Sequence, residues 1–238
     1  MSKDEKTADD LIWYHTVDLG NGVFTKGIYD HRPYLENYGI PADLRGKTVL
    51  DVGAASGFFS FEFERRGATV MATDLPRWMD HDFAPKYEPD LTPAAAESYL
   101  RDPFLFARAR RGSKVERKEI NIYDLSPETV GTYDLVFCGS VLLHLTDPVR
   151  AIWRLRSVTK KGGTALLATA IYDDPSAEPR AAFVGDEKAF TWWLPNKACF
   201  EAMVKSAGFE TREWVSQFPL DFADGKPGHL HGVIRARA

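Results

Sequence analysis

Lys47-Thr48-Val49-Leu50-Asp51-Val52-Gly53-Ala54-Ala55-Ser56-Gly57-Phe58-Phe59-Ser60-Phe61-Glu62-Phe63-Glu64-Arg65-Arg66-Gly67 is the stretch that decides the fold. Thr48-Val49-Leu50 is a short buried-strand run, Asp51 to Gly57 is a tight turn, and Phe58 to Arg66 opens a helix with Phe59 and Phe63 at i and i+4. A second strand, Thr69 to Thr73, ends at Asp74. Gly53 lets the backbone turn sharply and pass close to a ligand, and Gly57 lets the helix pack closely on the strand. Asp74 lies 23 residues after Asp51, at a strand tip where a carboxylate accepts charge-assisted hydrogen bonds from ribose hydroxyls. The unit therefore reads as a site for an adenosine-bearing cofactor.

A dinucleotide site would require Gly-x-Gly-x-x-Gly, with a pyrophosphate on the helix N-terminus. The spacing here is Asp51-x-Gly53-x-x-x-Gly57. It resembles motif I of the class I S-adenosylmethionine (SAM) methyltransferases, whose cofactor carries a positive sulfonium and no phosphate. Ala55 stands where that motif usually has its middle glycine. The resemblance implies that Asp51, Gly53, Ala54, Ala55 and Gly57 surround the cofactor, with Asp74 and Leu75 at its ribose.

Composition sets outer limits. A chain of 238 residues with 44% hydrophobic content can bury a full core. We expect an N-terminal arm and lid over 1–42 and a methyltransferase domain over 43–238. No apolar run is long enough for a membrane span, and Met1 to Asp10 is charged and polar, unlike a signal peptide. A cytoplasmic enzyme is the expectation. Cys138 and Cys199 form neither a Cys-x-x-Cys pair nor a zinc spacing. A formal charge of −4 argues against a large nucleic-acid footprint. One basic stretch, Arg101 to Lys118, reads either as a face for an anionic substrate or as a solvated helix end.

Along the chain, residues 1–16 read as a helix or arm, and Asp18 to Pro41 as largely irregular with a short helix. Strands are expected at 47–52, 69–73, 114–120, 133–138, 163–170, 210–217 and 230–236, and helices at 94–110, 147–158 and 196–207. The long connection from Leu75 to Gly112, with four prolines before its helix, lines the substrate side in this reading. Alternation of strands and helices implies a mostly parallel sheet with right-handed crossovers and helices on both faces. The last two strands lack an intervening helix and pair antiparallel. The predicted fold is thus α/β, with a seven-stranded, mostly parallel Rossmann-like sheet and an N-terminal lid segment.

Asn121-Ile122-Tyr123-Asp124-Leu125 follows the third strand, where the resemblance implies that Asn121 accepts the adenine amino hydrogen and Ile122 offers its backbone N–H. An ordinary strand-to-helix loop, with Asn121 as a turn residue, is the alternative. The fourth strand runs into Gly139-Ser140-Val141-Leu142-Leu143-His144-Leu145-Thr146-Asp147-Pro148. Ligands of open α/β sheets lie outside the carboxyl ends of strands, which puts Cys138, Gly139 and Ser140 at the methionine part of SAM. Asp147 fits an N-cap with Pro148 at the first helical position, and Lys161-Gly162-Gly163 a turn before the fifth strand.

Trp13-Tyr14-His15-Thr16, Gly27 to Arg32, Val49 to Phe59, Cys138 to Pro148 and Trp192 to Asn196 together resemble the methyltransferase group that contains the tRNA wobble-uridine carboxymethyltransferase. Two departures bear on substrate. About forty residues precede the sheet, fewer than that tRNA enzyme has, and Gly185-Asp186-Glu187-Lys188 replaces a Gly-Asp-Arg-Tyr context that reads the added carboxylate of carboxy-SAM. Glu187 would repel that carboxylate, whereas Lys26 matches a basic residue of the group. SAM is therefore the expected cofactor, ahead of carboxy-SAM, and a small molecule the expected substrate, ahead of tRNA.

Methyl transfer from SAM is an in-line displacement, and alignment alone supplies about 7 to 11 kcal/mol. A general base helps an oxygen nucleophile, and histidine suits the task. His144 is the first candidate, with His15, His31, His229 and His231 as alternatives. His144 has a packing role as its competing reading. Tyr14 is expected to cap the cofactor, and Tyr29, His31, Arg32, Trp192 and Trp193 to contact the substrate. Asn196 reads as a helix N-cap. A metal held by His15, His31 and His144 has no spacing to support it, and none is expected.

Overall fold

The computed structural model describes residues 7–185 and 190–238. Glu187 and Lys188, on which the carboxy-SAM comparison turned, and Met1 to Lys6 lie outside the described residues.

In chain order the elements are β1 (Trp13–His15), β2 (Gly27–Tyr29), β3 (Thr48–Val52), α1 (Phe58–Arg65), β4 (Thr69–Asp74), α2 (Pro93–Ser98) and α3 (Asp102–Arg111). There follow β5 (Glu116–Glu119), α4 (Pro127–Val130), β6 (Tyr133–Cys138), α5 (Pro148–Ser157), β7 (Thr159–Ala170), β8 (Ala181–Phe183), β9 (Trp193–Pro195), α6 (Lys197–Ser206), β10 (Thr211–Leu220) and β11 (His229–Arg237). Seven strands form one sheet in the order β10-β11-β7-β6-β3-β4-β5. The β3, β4, β5, β6 and β7 pairings are parallel, and β11 runs antiparallel to both β7 and β10.

Successive side chains of each strand point to opposite faces, and the central strands are apolar on both. Val49, Leu135, Phe137, Leu166 and Val233 join one core with Phe59 and Phe63 of α1 and Phe104 of α3. Their neighbours Leu50, Val136, Cys138, Leu167 and Ile234 join a second core with Ile152 and Leu155 of α5 and Phe200 and Val204 of α6. Helices therefore cover both faces. Strand order reverses between β3 and β6, and the crevice outside their carboxyl ends is where such sheets bind ligands.

Local signals account for the helix ends. Asp147 accepts the Arg150 N–H at 3.0 Å, and Asn196 accepts the Cys199 N–H at 2.8 Å. The helix expected over 94–110 is two helices. Pro103 has no N–H for the Tyr99 carbonyl, and its ring would collide with that carbonyl in a continuous helix. The fifth expected strand starts earlier, at Thr159, because Gly162 at φ +74° sits in an irregularity of its pairing with β6 instead of a turn outside it.

The short pairs β1–β2 and β8–β9 have no counterpart in the expected elements. β1 and β2 are parallel, with Trp13 opposite Gly27. A Cβ on Gly27 would meet the His15 carbonyl carbon at 2.1 Å, so only glycine fits there. Trp13, Val17, Leu19, Tyr38 and Ile40 of the arm belong to the same core as Phe59 and Phe137. The Ala223 N–H donates to the Ile28 carbonyl at 2.8 Å and Tyr29 stacks on Phe222, which fastens the arm to the β10–β11 connection.

Candidate active site

One cavity of about 340 Å³ opens at the carboxyl ends of β3 and β6. Its cofactor-facing side is built by the turn after β3. Gly53 at φ +77° and Ala55 at φ +44° both take the left-handed conformation; for Ala55 that costs about 1–2 kcal/mol. Asp74 offsets part of this strain, because its carboxylate accepts the Ala55 N–H at 2.7 Å and the Leu75 N–H at 2.8 Å. Burial raises the Asp74 pKa, while the Arg117 guanidinium and these N–H donors act against the rise. Each carboxylate oxygen keeps lone-pair capacity toward the cavity it lines.

Tyr14, Gly53, Ala55, Asp74, Leu75, Asn121, Ile122, Gly139 and Ser140 all line this cavity. The Asn121 side-chain oxygen, expected to accept from adenine, already caps a short helical turn by accepting the Tyr123 N–H at 2.9 Å. Asp51, Ala54, Gly57 and Cys138 of the expected cofactor set lie outside the lining. Asp51 is 2% exposed and accepts the Ser60 hydroxyl at 2.5 Å, and burial raises its pKa to about 7. It braces the turn from below. Gly57 makes room for Phe61 and Phe104 side chains more than for a strand. Cys138 is fully buried, and burial pushes its thiol up to about 12.

The opposite wall comes largely from segments that local patterning did not single out by residue. Trp78 and His81, in the long connection after β4, pack on Phe190 at ring distances of 5.2 and 5.3 Å. Asp82 ties this connection down: its carboxylate accepts the Tyr123 hydroxyl at 2.7 Å, the Thr146 N–H at 2.8 Å and the Thr146 hydroxyl at 2.7 Å. Trp192 donates its indole N–H to the Asp82 carbonyl at 2.6 Å, and Trp193 donates to the Thr146 carbonyl at 3.3 Å. Trp192 and Trp193, expected at the substrate, thus sit behind the wall as struts, since their polar edges are spent on backbone. Arg32 is likewise off the cavity, bidentate to Asp30 and stacked over Phe24.

All six histidines of the chain line the cavity. His144 lies in a short helical turn after β6, stacks on Phe190 at 3.9 Å, and its Nδ1 meets the Phe190 carbonyl at 2.6 Å. A carbonyl can only accept, so Nδ1 carries the hydrogen and Nε2 keeps the lone pair. Burial lowers the His144 pKa to about 3. His15 and His231, both buried, are lowered by burial to about 3 and about 4, and His31 is lowered well below its ordinary value by burial and then by His15 and His231. The cavity therefore presents neutral imidazoles at neutral pH. His31 also meets the Tyr38 hydroxyl at 3.0 Å, and Tyr29 stands beside it at the arm end.

Among the described residues, no lysine or arginine lines the cavity. Lys26 is exposed on the run into β2. The basic stretch after α2 is largely engaged elsewhere: Arg101 with Asp102, Arg117 with Glu119 and the Leu100 carbonyl, Arg111 with the Asp18 carbonyl, and Lys118 with the Thr129 carbonyl. No group of three or more His, Cys, Asp or Glu among the described residues is arranged to hold a metal ion. No helix among them is long and apolar enough to cross a membrane.

Comparison with known proteins agrees with this architecture. The "Methyltransferase domain" family matches residues 30–213. A ubiquinone biosynthesis O-methyltransferase from Acinetobacter baylyi is 29% identical over 126 residues, covering 53% of this chain and 44% of that protein. A tRNA U34 carboxymethyltransferase from Pseudomonas paraeruginosa is 27% identical over 172 residues, covering 70% of this chain and 46% of that protein. The chain thus spans less than half the length of these relatives. Among solved structures, the N-terminal domain of EvdMO1, in the presence of S-adenosylhomocysteine and D-fucose, superposes with a TM-score of 0.60 at 15% identity over 95% of this chain and 91% of that one. The Burkholderia thailandensis 1,6-didemethyltoxoflavin-N1-methyltransferase, with S-adenosylhomocysteine bound, gives a TM-score of 0.54 at 17% identity over 81% and 71%. The matched span, the seven-stranded sheet and the turn after β3 lead to one conclusion: the chain belongs to the methyltransferase domain family.

Proposed function

We propose that this methyltransferase acts on oxygen of a small molecule, with nitrogen as the second option, and that His144 receives the proton the acceptor releases. The single observation that carries this reading is the lone pair of His144 Nε2, left available by the Phe190 carbonyl, in a cavity lined by aromatic side chains and, among the described residues, by no lysine or arginine. When bound, SAM supplies a methyl group on a positively charged sulfur. The residues proposed to hold it are Asp74 at the ribose, Gly53 and Ala55 at the turn, Ile122 at the adenine, and Gly139 and Ser140 at the methionine end.

The chain's own contribution is alignment, exclusion of water and uptake of one proton. Burial opposes protonation of His144, but the positive charge that leaves sulfur then reappears on the imidazole, so the net charge of the cavity stays constant. Asp74 is a further complement to a cationic cofactor. A tRNA substrate, suggested by the Pseudomonas relative, would need phosphate-binding cations that the described wall lacks.

Calorimetric titration with S-adenosylhomocysteine tests the cofactor assignment. Asp74→Ala is expected to weaken binding by about 1 to 3 kcal/mol, or about 5- to 150-fold. Unchanged affinity would remove Asp74 from the site. Salt-sensitive binding of bulk tRNA on a gel would favour the tRNA reading instead.

A further inference from the structure

We propose that the acceptor half of the cavity is built for an uncharged, planar hydroxyaromatic that carries a second oxygen, its ring lying on the Trp78–Phe190 wall and its hydroxyl donating to His144 Nε2. This rests on the methyltransferase reading and narrows its substrate.

Three independent features carry the inference. First, the wall is aromatic and rigidly framed: Trp78 and His81 each meet Phe190 edge to face, at 5.2 and 5.3 Å, their own rings are tilted at 4.7 Å, and His144 lies nearly parallel on Phe190. Flat apolar rings gain most from such a surface, by offset stacking. Second, the hydrogen-bonding groups at that wall are lone pairs on His144 Nε2 and His81 Nε2, whose Nδ1 atoms meet the Phe190 and Trp78 carbonyls, and an indole N–H. The lone pair selects a donor, which a hydroxyl supplies and a carboxylate lacks. Third, Trp78 Nε1 is buried with no acceptor among the described residues. An indole nitrogen can only donate, so its missing partner is an acceptor atom, which a second oxygen on the ring provides.

Charge points the same way. The carboxylates of Asp74, Asp80 and Asp82 also line the cavity, and although Arg77 pairs with Asp80 and the Arg117 charge acts on Asp74, no described lysine or arginine lines the cavity itself. An anionic acceptor would be repelled, while an uncharged phenol is not.

The test uses the whole protein saturated with S-adenosylhomocysteine, titrated by calorimetry at neutral pH with catechol, which is uncharged there, benzyl alcohol and benzoate. We expect catechol to bind at least about tenfold more tightly than either of the others. Trp78→Phe is expected to reduce that preference about five- to tenfold without changing affinity for S-adenosylhomocysteine. Benzoate binding as tightly as catechol, or no probe binding to protein that does bind S-adenosylhomocysteine, would overturn the substrate class and leave the methyltransferase reading standing. Failure of S-adenosylhomocysteine itself to bind would overturn that earlier reading. The comparison of probes on the unaltered protein decides the matter even if Trp78→Phe does not fold.

Discussion

The neutral imidazoles of the cavity make folding stability fall steeply in mild acid. An imidazole whose folded pKa is depressed takes up its proton only on unfolding, so its stabilisation is present above about pH 6.5 and is lost as pH falls toward the folded value. His15 and His144, lowered to about 3, His231, lowered to about 4, and His31, lowered well below its ordinary value, all behave this way. Asp51 opposes them. Its carboxyl, raised by burial to about 7, keeps its proton in the fold and releases it on unfolding, so its stabilisation is lost as pH rises through about 7. His81 is lowered and Asp74 raised, both by burial, so these two act in opposite senses. At pH 5 the balance is about four protons taken up and one released. At about 1.4 kcal/mol per proton and pH unit, stability should drop by about 4 kcal/mol for each pH unit between 6 and 4.5. Domain stabilities are about 5–15 kcal/mol, so the fall of about 4 kcal/mol from pH 6 to pH 5 is a large share of the whole. Urea unfolding at half-unit pH steps measures the slope directly. His231→Gln should lower that slope by about 1.4 kcal/mol per pH unit. Stability that stays flat from pH 7 to 5, or a slope untouched by His231→Gln, would refute the reasoning.

Two further outcomes follow from the turn and the strut. Gly53→Ala places a Cβ 2.3 Å from Val141 Cγ2 at a φ of +77°, so it should destabilise the fold by about 1–3 kcal/mol and weaken S-adenosylhomocysteine binding; unfolding and titration curves like those of the unaltered protein would contradict this. Asp82→Ala removes the acceptor shared by Tyr123 and Thr146, at a cost of about 1–3 kcal/mol. Combined with Tyr123→Phe, the loss should be less than additive in a double-mutant cycle, and strict additivity would show the two are not one unit.

Legibility in the sequence followed the range of the interactions. The β3 turn, the central strands and the caps at Asp147 and Asn196 rest on residues within a few positions of one another, and each was readable. β1 and β2 were not, because three-residue parallel strands owe their existence to Gly27 lying against His15, which no local pattern announces. The substrate wall was legible only as a region. The long connection after Asp74 was expected on that side, yet Trp78, His81 and Asp82 acquire their places from Phe190, Thr146 and Tyr123, far along the chain. Trp192 and Trp193 were misplaced for the same reason. Their aromatic content suggested a wall, but their indole N–H groups found carbonyls behind it.

The two halves of the cavity have separate architectural origins. The cofactor half is made largely from the turn after β3 and the loops directly after the other central strands, with Tyr14 of β1 beside them. The acceptor half is made from the connection after β4, the run into β9 and the β10–β11 connection, together with His144 after β6. Changes in those connections can accumulate without disturbing the sheet, so in the course of descent this scaffold can change its acceptor while its methyl donor stays the same.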